Sequence, residues 1–407
     1  MTGMRTLLQV ARWGMVVGQA LIVVISLYLS AVTALGYRKW RRGIAPNAPE
    51  TPPRFGLLVC ARDEQDVIAR IVGDLLTQDY PAELRTVVVV AHNCTDSTAS
   101  LAARAGAMVV PLQTAAPGKA QAIQAGLAGL GVGYDLVGVF DADARVTPDL
   151  LRAIASHSKD EACLQAEALP IADSDWLAEG YGFGRKARNL FWWRPREALG
   201  LSTTITGCGW FIRPDLLHRY SSGQWTMTED LELTARMVAD GYKVRYVSEA
   251  KVALGEPREL SASMRQRSRW VRGHINVVKG RWPGLFRRAI RGDRRAIDMA
   301  IYLIVPTRLL TRLAVTLAAV FAMVSAQFAL PGALVAAALA GEWLIPAYIG
   351  WKERLVKLST GSLNVAVRHS MLSLLWFPIG IYALATARIR HWAPSARNVE
   401  RDASNVT

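Results

Sequence analysis

Cysteine is scarce in this chain of 407 residues. Cys60, Cys94, Cys163 and Cys208 are all there are, and no two stand in a Cys-x-x-Cys spacing. A disulfide framework and a thiolate zinc site are thereby excluded, which suits a reducing compartment. Histidine is equally thin: six residues without a ligand-like grouping, His274 reading as a packing or surface residue. Acid falls short of base, 33 against 48, leaving a formal net charge of +15. No GxxxxGK[ST] element occurs, so a Walker-type phosphate loop is absent. Neither an internal repeat nor a low-complexity tract is present, which removes solenoids and disordered arrays.

Apolar residues, by contrast, make up 51% of the chain, and mean hydropathy is +0.18, high for a purely soluble protein. Residues 14 to 36 are nearly all apolar and exceed the roughly 20 helical residues that cross a hydrocarbon core. Arg5 and Arg12 precede this run, and Arg38, Lys39, Arg41 and Arg42 follow it. The positive-inside rule therefore puts the downstream side in the cytoplasm, and an uncleaved anchor is expected over 1–42. From about 299 to 350 the chain is apolar again, with Pro331-Gly332 marking a tight turn between two spans. Arg308 and Arg312 suggest an interfacial helix over 297–310 in place of charge in mid-bilayer. A third apolar stretch covers 370–387, and a basic tail fills 391–407. Three spans after the middle domain would put Arg388, Arg390, Arg397 and Arg401 outside, whereas the charge rule wants them inside. The sequence leaves that parity open. Because the basic clusters flank apolar segments, the expected anionic partners are membrane lipids and a phosphate-bearing substrate, with no nucleic acid.

Between these segments, residues 43–296 read as an α/β domain, entered through a linker at 43–53 that holds Pro46, Pro49, Pro52 and Pro53. The continuous apolar runs 55–59, 86–90 and 136–140 fit strands buried on both faces of a mostly parallel sheet. Helical patterns at 64–77, 96–105 and 118–130 alternate with them, the second behind a Thr95-Asp96 cap. Ligands of such sheets lie at the carboxyl ends of the strands.

Three motifs carry chemistry. Asp141-Ala142-Asp143 follows directly on a strand, and the i, i+2 spacing points both carboxylates to one side. Two hard oxygen donors there could hold Mg²⁺ or Mn²⁺ against a diphosphate, although a solvated acidic strand end has the same sequence. Asp230 opens a helix with Thr228 as its cap; it could be a general base, or merely an acid favouring the helix dipole. Gln266, Arg269 and Trp270 fall at i, i+3 and i+4 on one helical face, a fork for phosphate beside a flat ring for a sugar. The rival reading is a helix whose Arg and Trp face lipid headgroups. Weaker signals are Pro117-Gly118-Lys119-Ala120, a glycine and a lysine at a helix start, and the glycine turn Thr206-Gly207-Cys208-Gly209-Trp210.

In their order, these elements resemble the membrane-embedded family-2 glycosyltransferases, the group of cellulose, chitin-oligosaccharide, hyaluronan and exopolysaccharide synthases. Ala61-Arg62-Asp63-Glu64, Asn93-Cys94-Thr95-Asp96, Gly118-Lys119-Ala120, Asp141-Ala142-Asp143, Thr206 to Gly209, Thr228-Glu229-Asp230 and Gln266-Arg267-Ser268-Arg269-Trp270 carry the match, over about 54 to 275. The resemblance implies a GT-A, Rossmann-like nucleotide-sugar fold and an inverting transfer that makes β-linkages. It implies Asp230 as the base, Asp141 and Asp143 on the metal and diphosphate, and Gln266 and Arg269 on the pyrophosphate. Arg62, Glu64, His92 and Lys119 would surround the nucleotide; Gly207, Cys208, Glu229 and Trp270 would meet the acceptor. His92 stands where many members carry an Asp against the base, and can still bond a base edge of a UDP-sugar donor. The implied product is a growing exopolysaccharide-type chain at a bacterial inner membrane, with a cytoplasmic catalytic domain. An export partner or self-association would complete a conduit. The alternative is one sugar added to a lipid-linked acceptor.

Overall fold

The computed structural model describes residues 2–115, 118–221, 226–305, 307–325, 332–355 and 360–386. Pro117, Pro331 and the basic tail fall outside the described residues.

Eight strands form one sheet: β1 (Phe55–Ala61), β2 (Arg85–His92), β3 (Met108–Leu112), β4 (Leu136–Asp141), β5 (Arg145–Val146), β6 (Cys163–Pro170), β7 (Trp210–Ile212) and β8 (Val244–Leu254). Their order is β3-β2-β1-β4-β7-β6-β8-β5. The three strands expected from apolar runs are the central parallel ones, β2, β1 and β4. Beyond β4 the sheet turns mixed: β7 runs antiparallel to both β4 and β6, and β5 antiparallel to β8.

Helices α1 (Thr2–Trp40), α2 (Ile68–Leu76), α3 (Thr98–Arg104), α4 (Lys119–Leu130), α5 (Leu150–Ala155), α6 (Trp176–Arg188), α7 (Arg194–Ala198), α8 (Pro214–Ser221) and α9 (Glu229–Ala239) precede the long α10 (Leu260–Ala289). Successive strand residues face opposite ways. Leu57, Val59, Val87 and Val89 accordingly bury with Ile68, Ile71 and Leu75 of α2. Leu58, Val88, Val137 and Val139 bury on the other face with Ile123 and Leu127 of α4. Each such side chain contributes about 1.5–3 kcal/mol by leaving water, which is why uninterrupted apolar runs were required.

After α10 come α11 (Arg294–Ile304), α12 (Arg308–Ser325), α13 (Gly332–Lys352), α14 (Thr360–Leu374) and α15 (Trp376–Ala385). Among the described residues three stretches are long and apolar enough to cross a membrane, Val16–Trp40, Gly332–Lys352 and Leu363–Ala385, and a fourth is reached if α11 and α12, which meet at a 76° bend, count as one span. The helix expected over 297–310 is in fact two. Asp293 caps α11 by accepting from Arg295 and Ala296 N–H, and Val305, which precedes a proline, leaves helical geometry. Arg308 and Arg312 thus belong to α12, where Glu342 of α13, fully buried, supplies their countercharge. Arg308 lies 3.0 Å from that carboxylate and donates to Thr33 Oγ1 at 3.2 Å.

The first helix, α1, is fastened to the domain. The Arg194 guanidinium sits 4.5 Å over Trp40, and Tyr28 donates to Asp298 at 2.9 Å. A β-carbon on Gly36 would stand 2.4 Å from the Pro195 carbonyl oxygen, so α1 and α7 touch backbone to backbone.

Candidate active site

The parallel strands end side by side. Cys60 pairs with Asp141 and Ala61 with Ala91, which sets Arg62, His92 and Asp141 in a row along the sheet's carboxyl edge. His92 is buried, its Nε2 has no hydrogen-bond partner among the described residues, and burial followed by the Arg62 charge lowers its pKa. Glu64, also buried, bonds through its N–H to Thr98 Oγ1 at 2.7 Å, fixing the β1–α2 loop to α3. Asp96 supports that helix as expected from the Thr95-Asp96 pair, accepting from Thr98 N–H at 2.9 Å, although α3 itself starts two residues later.

The β4 strand stops at Asp141 and the chain turns through Ala142 and Asp143. Period-2 alternation therefore does not align the two carboxylates; both nevertheless act on the Cys208 thiol, whose pKa burial and then Asp141 push up. Cys208 Sγ accepts from Asp141 N–H at 3.3 Å. Lys119, at the start of α4, donates to the Asp141 carboxylate and to the Gly207 carbonyl. Burial opposes its charge, yet Asp141, with Glu229 behind it, raises the ammonium pKa. Gly207 has φ +85°, and a β-carbon there would come 3.5 Å from Asp230 Oδ2. That turn admits no ordinary side chain without strain.

Glu229 and Asp230 open α9 beside one another and are half-buried. Protein crowds them closely enough for desolvation to dominate. Burial and then the Asp230 charge push Glu229 up to about 7, against the pull of Lys119 and Arg269. Asp230 is raised as well, by burial, with Leu231 N–H, Lys119 and Arg269 opposing. Thr228 stands at the N-cap position, but its hydroxyl makes no cap bond and is buried without a partner among the described residues. Glu232 instead ties down the segment before the helix, accepting from Thr226 N–H at 2.7 Å.

The α10 helix brings the remaining expected residues. Arg269 acts electrostatically on both α9 carboxylates, Gln266 is half-buried one turn earlier, and Trp270 is 37% exposed. Asp141, Asp143, Lys119, Gly207, Cys208, Glu229, Asp230 and Arg269 thus converge, with Arg62 and His92 alongside. Sequence reasoning passed over Arg267. Its buried guanidinium lies 3.8 Å over Tyr181 of α6, 5.2 Å over Trp376 of α15 and 5.7 Å from Trp270. Nothing near it in the chain announces those partners.

Asp141 offers a side chain 42% exposed at the open strand end, so it and Asp143 are hard oxygen donors suited to Mg²⁺ or Mn²⁺. A separate trio, Asp63, Cys94 and Asp96, brings its ligand-type atoms within 4.8 Å. Asp63 there accepts from Thr95 and Asp96 from Thr98 and Gln65, which marks these carboxylates as shapers of the loops.

Residues 52–273 match the family described as glycosyltransferase like family 2. Among curated proteins, the beta-monoglucosyldiacylglycerol synthase of Synechocystis sp. is 28% identical over 271 residues, covering 64% of this chain and 55% of that protein. Its counterpart in Nostoc sp. is 26% identical over 309 residues, covering 73% and 64%. The chain spans about half to two thirds of the length of these relatives. Among solved structures, a mannosyltransferase from Pyrobaculum calidifontis in complex with GDP-Man and Mn²⁺ superposes with a TM-score of 0.50 at 19% identity. That likeness covers 86% of this chain and 98% of the other, and it is one of fold. A GT-A type fold and a family match over more than half of the sequence place this chain among the family-2-like glycosyltransferases.

Proposed function

We propose that the chain moves a single sugar from a nucleotide-sugar to the hydroxyl of a membrane lipid, with inversion, at the cytoplasmic face of a bacterial inner membrane. The observation that carries this reading is the Arg267 clamp, which ties the helix bearing Arg269 and Trp270 to α15 of an apolar candidate span. An acceptor reaching Trp270 would then come from the side where the bilayer begins. The two diacylglycerol-modifying relatives support a lipid acceptor over the polymer implied by the synthases.

Asp230 is the base in this reading. It takes the acceptor hydroxyl proton as that oxygen bonds to the anomeric carbon and the bond to the diphosphate breaks. Its raised pKa suits the task near neutral pH. Lys119 and Arg269 meet the departing negative charge, and Gln266 steadies the Arg269 face. Arg62, His92 and Glu64 frame the nucleotide, while Gly207, Cys208, Glu229 and Trp270 line the acceptor side. Asp141 and Asp143 would hold Mg²⁺ or Mn²⁺, which supplies neutralisation of the diphosphate when bound. Catalysis otherwise rests on positioning.

Extension of an exopolysaccharide-type chain is the second reading, favoured by the intact Gln266-x-x-Arg269-Trp270 signature. The test supplies the full chain in vesicles with diacylglycerol and a panel of UDP- and GDP-sugars, reading released nucleoside diphosphate and product mass. One sugar per lipid is expected. A ladder of masses would favour the second reading, and no transfer to lipid with any donor would sink the first.

A further inference from the structure

Two consecutive helices carry positive charge and apolar side chains on their outward faces. At the end of α10 Phe286 is 46% exposed and Ile290, the residue just after the helix, 68%, with Arg287 between them. Arg291 and Arg294 follow through the turn, and on α11 Ile297 and Ile304 are 37% and 55% exposed. The inner faces share one buried cluster, Val277 and Leu285 with Ala296, Met299 and Leu303, so the exposed residues point away from it. Trp282 stacks on Phe286 at 4.9 Å and stiffens the stripe.

The acids nearby are already engaged. Asp293 takes Arg288 and caps α11, and Glu232 takes Arg281. Among the described residues no carboxylate pairs with Arg287, Arg291 or Arg294. Orientation adds an independent constraint. The α12 helix packs beside α1 and α13 through Val23, Val315, Ala319, Val335 and Ala338, and α11 meets it at 76°. With the spans upright, α11 lies close to the plane of the bilayer. Such a helix, apolar and basic on one exposed side, is the form that seats in a headgroup layer.

We propose that the end of α10 and the outer face of α11 form an in-plane docking surface for anionic phospholipid. Phe286, Ile290 and Ile297 enter the acyl boundary, and Arg287, Arg291 and Arg294 hold the phosphates. This surface selects headgroup charge, and is separate from the crevice that handles the sugar.

The test uses the full chain in phosphatidylcholine vesicles, with a fluorophore on Ile290→Cys in a Cys60→Ser, Cys94→Ser background. Trace phosphatidylglycerol or phosphatidylcholine carrying a spin-label quencher near the headgroup is then added. Quenching by the anionic lipid should exceed that by the zwitterionic one by roughly tenfold in effective concentration, and fall with salt. Replacing Arg287, Arg291 and Arg294 by Gln should erase the preference, while Lys at all three should keep it. No quenching by either lipid, or equal quenching by both in the parent, overturns the proposal. Because the readout is contact and not turnover, its failure stays distinct from a failure of the proposed transfer reaction.

Discussion

Two sets of charges in this molecule, one buried and one half-buried, are built on contrary rules. Around Asp298 every demand is met: Arg196 donates Nε and Nη2 to its two oxygens at 2.8 and 2.9 Å, and Tyr28 adds a third donor at 2.9 Å. The same guanidinium lies 4.0 Å over Trp192. Around Asp230 the demands conflict: two carboxylates stand adjacent in sequence, while the nearest ammonium, Lys119, bonds Asp141. A matched set fixes three helices to one another, whereas a mismatched set stores unfavourable charge that a substrate can relieve. Comparing them separates what holds the fold from what is poised to react.

The sharpest way to separate the two is to neutralise one acid in each. Asp230→Asn should lower kcat by about 10²- to 10⁴-fold, the usual contribution of a positioned base, while apparent Tm stays level or rises. Turnover equal to the parent would remove Asp230 as the base. Asp298→Ala should do the reverse. It strands the Arg196 cation, a change that typically costs about 3–5 kcal/mol, and should show as a fall in thermal stability before any specific loss in catalysis. An unchanged Tm would mean the pair is dispensable.

A smaller effect sharpens the comparison through pH. Glu229 has its pKa pushed up to about 7 in the folded chain by burial and the neighbouring Asp230 charge, above the ordinary glutamate value of 4.5. The native state therefore binds the proton more tightly than the unfolded one, so stability is present at low pH and declines as pH rises toward 7. Glu229→Gln imitates the protonated form. It should raise Tm by about 2 °C or more at pH 8 and change it little at pH 5. Equal shifts at both values would show that Glu229 is not the strained group.

Much of the fold was legible because its central strands need apolar side chains on both faces, which leaves uninterrupted runs such as Val87 to Val90. The three-residue β7 left no such trace, since Trp210 to Ile212 reads equally well as the end of a glycine turn. Asp141, Lys119, Asp230 and Arg269 drew notice because each ends a strand or opens or lines a helix at a recognisable spacing, but that spacing also fits a solvated strand end or an acidic first turn, and only the family resemblance attached roles to them. Helix periodicity could not show that Thr228 would forgo its cap bond, a matter of how Gly273 packs against it. Hydropathy counts charges one at a time, so it missed that Arg308 and Glu342, 34 residues apart, would meet.

Gly36 has a consequence for how this protein can be handled. A helix that meets its neighbour through bare backbone is not a leash that any other membrane segment could replace. Exchanging it for an unrelated hydrophobic helix would push α7 aside, and cutting it away would uncover Trp192 and Trp193, which now share a buried cluster with Leu29. The catalytic portion cut free of its first helix should therefore be prone to clump in water, and detergent or lipid would have to take the missing helix's place.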